Sequence, residues 1–78
     1  MVKRDLTILT TACGAMFMHG FFRCLKENGE RQIRLIGVDM ATDAIIDPLL
    51  DAYYTVPRID APNYVDNLLH ICEKESVD

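Results

Sequence analysis

An α/β fold built on a small, mainly parallel sheet is what the 78 residues predict. Three observations carry that expectation. Short runs rich in β-branched residues alternate with stretches of helical period. The first of these runs is apolar on both faces, as a strand covered by helices on each side must be, and a second apolar run follows. The segment between them is long enough for a crossover helix, and such connections are right-handed almost without exception.

Leu6-Thr7-Ile8-Leu9-Thr10-Thr11 is the first strand. Residues 12–17 follow as a small-residue loop around Gly14. From Met18 the period changes: Met18, Phe21, Phe22 and Leu25 fall at i, i+3, i+4 and i+7 and make one helical face. Gly29, after Glu27 and Asn28, is a natural left-handed stop for that helix. Residues 32–39 form the second strand, with Ile33, Leu35, Ile36 and Val38 apolar and Gly37 marking close backbone packing. Residues 43–51 are ambiguous, because Ile45, Ile46, Leu49 and Leu50 have helical spacing while Pro48 limits them to short turns after Asp47. Tyr53-Tyr54-Thr55-Val56 reads as a third strand ended by Pro57. The last helix is expected from Asp60 as N-cap, with Pro62 in its first turn and Val65, Leu68, Leu69 and Cys72 on its apolar face. Glu73-Lys74-Glu75 is expected to be solvated.

The resulting order, β-α-β-β-α, is a three-layer Rossmann-like unit with a three-stranded sheet, expected to be truncated before a fourth strand that would lie beside the first. Residues 1–78 make one domain. A chain this short buries only about 60% of its unfolded surface, so its stability is expected to be marginal. An uncovered apolar first strand is an association hazard. The sequence therefore predicts a homo-oligomer that covers that edge.

Twelve acidic against eight basic residues, a net charge of −4, argue against a nucleic-acid partner, since phosphate binding needs clustered Lys and Arg. Leu6 to Leu9 is too short for a signal-peptide core, and no stretch reaches the roughly 18 apolar residues of a membrane helix. A cytoplasmic, membrane-free protein is expected. Cys13, Cys24 and Cys72 are odd in number and lack framework spacing, so they read as reduced, partly buried small hydrophobes. His19 and His70 have no Cys or carboxylate at ligand spacing, and no metal site is expected.

Sheets of this kind bind ligands where the C-terminal strand ends meet a helix N-terminus. That places the candidate substrate contacts at Ala12, Cys13 and Gly14, in the loop after the first strand, and at Asp39, which ends the second. The loop keeps Gly14 and a distant Gly20 but not the G-x-G-x-x-G of a dinucleotide site, and Met16, Phe17 and Met18 are bulky where a phosphate needs room. A tight turn with Gly14 relieving strain is the plainer reading. Asp39 stands where a ribose-binding acid stands in NAD folds, but capping or loop ordering is favoured without the glycine set. Cys13 near a helix N-terminus is more simply an inert thiol than an activated one. His19, with no orienting partner in the sequence, is a poor base candidate. The Tyr53-Tyr54 pair reads as strand packing. No catalytic residue is assigned.

Three stretches together resemble the N-terminal (pre-ATP-grasp) domain of carbamoyl-phosphate-synthase-like ATP-grasp proteins. They are the first strand and its loop, Leu6 to Gly14; Ile33-Arg34-Leu35-Ile36-Gly37-Val38-Asp39-Met40; and Tyr54-Thr55-Val56-Pro57 continuing through Asn63-Tyr64-Val65-Asp66-Asn67-Leu68-Leu69 to Ile71-Cys72-Glu73-Lys74-Glu75-Ser76-Val77-Asp78. The resemblance covers nearly the whole chain. It implies a parent ligase that activates a carboxylate as an acyl phosphate for attack by an amine. In such a ligase a separate ATP-grasp module, in cis or as another subunit, holds ATP and Mg²⁺. No cofactor is assigned to this chain, which is expected to be inactive alone. It departs from the family in a first loop poorer in glycine. A stand-alone nucleotide- or NAD-binding module and a structural interaction domain are the alternatives.

Overall fold

The computed structural model describes residues 4–11, 18–40 and 46–78. Five elements occur among them: β1 (Leu6–Thr10), α1 (Met18–Lys26), β2 (Ile33–Asp39), β3 (Ala52–Thr55) and α2 (Tyr64–Glu75). The strands form one parallel sheet in the order β1-β2-β3, with Leu6 opposite Ile33 and Ile36 opposite Ala52. Helices cover both faces, which is why β1 and β2 carry apolar side chains on each side. Phe22 of α1 packs with Ile33 and Leu35, flanked by Leu6, Ile8, Met18, Leu25 and Tyr53. On the other face Ile71 of α2 packs with Ile36, Val38 and Val56, joined by Leu9, Tyr54, Tyr64 and Leu68. The α/β, three-layer Rossmann-like unit expected from the sequence is what the chain forms. Tyr53 and Tyr54 pack on opposite faces, as strand residues do.

The turn between α1 and β2 owes its shape to two residues. Gly29 has φ +77°, a left-handed conformation that costs glycine little. The Asn28 amide donates to the carbonyls of Leu25 and Arg31 and accepts from the amides of Glu30 and Arg31, at 2.6–2.9 Å. Every polar atom of that side chain is used.

The last helix starts later than expected, at Tyr64 with Asn63 as N-cap. The Ala61 amide bonds the Arg58 carbonyl and the Tyr64 amide bonds the Ala61 carbonyl, so two tight turns precede the first helical hydrogen bond. Asp60, expected as the cap, faces Arg58 at 3.4 Å in solvent. Its inward face also differs: Tyr64, Leu68 and Ile71 meet the sheet, while Val65 and Leu69 are 62% and 58% exposed. Six apolar residues spread over a wide arc of α2, and the sheet covers only half of it. Phe21 is likewise half exposed, leaving Met18, Phe22 and Leu25 as the working face of α1.

The end of α2 is a Schellman motif. The Val77 amide bonds the Cys72 carbonyl, the Ser76 amide bonds the Glu73 carbonyl, and Val77 packs onto the second cluster. Ser76 holds the left-handed position, φ 55°, which favours glycine. Ser76→Gly is expected to raise stability by about 1 kcal/mol through relief of that conformation, read as a higher urea midpoint. An unchanged or lower midpoint would show that the flexibility glycine adds to the unfolded chain cancels the gain.

Candidate functional site

The C-terminal strand ends open onto a crevice of about 270 Å³. Thr11 after β1, Val38 and Asp39 of β2, and Val56 and Pro57 after β3 form its floor, and Tyr64 of α2 and exposed Ile59 its wall. The walls are mainly apolar, and Asp39 is the one carboxylate among them. Asp39 bonds to its neighbours at the strand exits. Its Oδ1 accepts the Met40 amide at 2.7 Å, and its carbonyl accepts the Val56 amide at 2.9 Å, which ties the exits of β2 and β3 together. The other three expected contacts, Ala12, Cys13 and Gly14, lie outside the described residues.

Near the N-terminus of α1 the structure corrects the reading of His19 as partnerless. Its Nδ1 lies 2.7 Å from Asp47 Oδ2, and the other carboxylate oxygen accepts the Leu49 amide at 2.9 Å. The Leu49 amide, against some desolvation and with help from His19, holds the Asp47 carboxyl below its ordinary value of 3.8. A carboxylate that orients an imidazole is an arrangement suited to proton transfer. It equally pins the turn before β3 onto α1. The pair spans 28 positions, so no spacing rule in the sequence could have shown it.

At the opposite end of the sheet lies a depression of about 390 Å³ lined by Asp5, Lys26, Arg34 and Asp51, whose charged groups bond within the fold. Lys26 Nζ donates to the Ile33 carbonyl and to Asp51 Oδ2 at 2.9 and 2.5 Å, and the same oxygen accepts the Leu35 amide. Glu75, expected in solvent, is instead 11% exposed and bonds the Arg34 guanidinium and the Tyr54 hydroxyl. The Tyr54 bond first, and Arg34 second, hold the Glu75 carboxyl below its usual value, while the same bond raises the Tyr54 hydroxyl. These groups staple α2 to the sheet.

Cys24 is exposed rather than partly buried, and Cys72 is half-buried; both are free thiols. Among the described residues no group of three potential ligands could hold a metal, and no helix is long and apolar enough to cross a membrane. A family model described as "PylC-like, N-terminal domain" matches residues 8–78. No curated protein matches the chain.

Proposed function

Because the chain belongs to the PylC-like N-terminal domain family, we propose that it serves as the substrate-side and packing domain of an ATP-grasp carboxylate–amine ligase of the carbamoyl-phosphate-synthase-like kind. PylC is an ATP-grasp-type ligase, and the observation that carries the reading is the match over 71 residues (78 − 8 + 1), which contain four whole elements and most of β1. In this role ATP and Mg²⁺ belong to a separate ATP-grasp module. The crevice beside Asp39 faces the acceptor substrate, and Ala12, Cys13 and Gly14, which follow β1 in the sequence, are the further substrate contacts. Half-empty apolar arcs support the packing role: Val65 and Leu69 on α2 and Ile59 at the crevice rim expose surface that a neighbouring module would cover.

Calorimetric titration of the 78-residue chain tests the division of labour. Mg-ATP and NAD are each expected to give no heat beyond dilution. Micromolar affinity for Mg-ATP would overturn the reading. Micromolar affinity for NAD that disappears in Asp39→Ala would replace it with a stand-alone nucleotide-binding module.

A further inference from the structure

The turn between α1 and β2 is built from a chemically labile pair. Asn28-Gly29 is the only Asn-Gly step in the sequence, and both residues are exposed to water. In such a step the glycine backbone nitrogen attacks the carboxamide carbon of the asparagine, because no Cβ on the glycine crowds the approach. An N–Cγ bond forms, the Cγ–Nδ2 bond breaks, and ammonia leaves carrying the glycine amide proton. Water then opens the cyclic imide at either carbonyl, which gives an aspartyl or an isoaspartyl residue with no oxidation or reduction. The turn requires both members of the pair. Gly29 holds φ +77°, where any side chain is strained although a Cβ would meet nothing within 4 Å. Asn28 supplies two donor bonds, to the Leu25 and Arg31 carbonyls, and accepts two more, from the Glu30 and Arg31 amides. These two demands select a dipeptide that is open to the reaction.

We propose that Asn28-Gly29 is a deamidation site guarded by its own turn, so that its rate of modification follows the opening of the α1–β2 connection. Ring closure makes Cγ tetrahedral and expels Nδ2, so the carboxamide has to leave the plane that its four partners define. In the closed turn this breaks both donor bonds, at 2.6 and 2.9 Å. In the open turn no such restraint acts. The product does not fit back. A carboxylate oxygen in the place of Nδ2 faces the Leu25 and Arg31 carbonyl oxygens, acceptor against acceptor. Its charge lies just beyond Lys26, the last residue of α1, where the helix dipole disfavours an anion. An isoaspartyl residue also lengthens the backbone by one carbon beside left-handed Gly29. Each opening that ends in modification removes a chain from the closed state, and Asn28 thus acts as a one-way counter of openings.

Mass spectrometry of the tryptic peptide of residues 27–31 tests this, after incubation in one mildly alkaline buffer. The samples are the 78-residue chain, its Phe22→Ala variant, and a synthetic peptide of residues 25–33, which gives the rate of an unguarded step. The intact chain is expected to deamidate at least about tenfold more slowly than the peptide, as reaction through a minority open state requires. Phe22→Ala, which loosens α1 from β2, is expected to approach the rate of the peptide. Asn28→Asp reports on the product: its urea midpoint is expected to fall by about 1 M, as the loss of two modest hydrogen bonds implies. A variant that does not fold at all gives the same answer. An intact chain that deamidates as fast as the peptide, or faster, overturns the guard. So does a Phe22→Ala variant that reacts no faster than the unmodified chain. An unchanged or raised midpoint for Asn28→Asp overturns the one-way character. Modification at Asn63 or Asn67 ahead of Asn28 overturns the choice of site.

Discussion

Phe22→Ala is expected to cost about 3–5 kcal/mol, the range for emptying a buried phenylalanine site. Phe22 is 0% exposed and is wedged between α1 and the Ile33–Leu35 side of β2. A chain of this length has a total stability of about 4–12 kcal/mol, so one side chain accounts for a large share. With a urea dependence near 1 kcal/mol per M, the midpoint falls by about 3–5 M, and at the low end of that stability the variant is unfolded without denaturant. Phe21→Ala is the control. Its ring lies 6.3 Å from that of Phe22 but is half exposed, and its loss should cost under about 1 kcal/mol. Equal effects at the two positions would show that α1 does not present the face assigned to it.

Acid is the second strong lever. Among the described residues four carboxyls have depressed pKa values: Asp47, Asp51 and Asp78 from 3.8, and Glu75 from 4.5. At Asp51 desolvation works the other way but is outweighed by the Lys26 bond, the Leu35 amide, and the charges of Lys26 and Arg34. At Asp78 the Thr7 amide leads and Arg4 follows. A carboxyl whose folded value lies below its unfolded value stabilises the fold above the unfolded value. That contribution is lost as pH falls through the folded value. The melting temperature is therefore expected to hold above about pH 5 and to fall by at least about 5 °C by pH 2.5. Tyr54 has the opposite sign, since its hydroxyl, raised above 10.0, must stay protonated to bond Glu75. It adds a loss on the far alkaline side, as pH rises through the raised value. A melting temperature flat from pH 5 to pH 2.5 would mean that these carboxylates do not hold the elements together.

The layers of the fold were legible because they depend on patterns that a single segment carries. β1 announces itself by apolar residues on both faces and β2 by its apolar run, and Gly29 marks the left-handed turn. The errors fall where one segment carries two messages. Val65, Leu68, Leu69 and Cys72 do have helical spacing, but Tyr64 and Ile71 extend the arc beyond what one sheet covers, and periodicity cannot say which half faces inward. Pro62 suits a first helical turn, yet the turns at Ala61 and Tyr64 delay the helix to Tyr64. The position of Asp39 was legible, since its place at a strand end is a matter of topology. His19–Asp47, Arg34–Glu75–Tyr54 and Thr7–Asp78 were not legible, since each joins residues brought together only after the sheet and helices have packed.

The parallel register also governs how quickly this molecule can assemble. Leu6 finds Ile33 across 27 positions and Ile36 finds Ala52 across 16, so neither strand pairing in the sheet is a local hairpin. Nine-residue α1 is too short to persist alone in water. The search for these distant partners therefore sets the pace, and refolding is slower, on the order of milliseconds or more, than for a helical bundle of equal length. During that interval the β-branched segment Leu6 to Thr10 waits uncovered for β2.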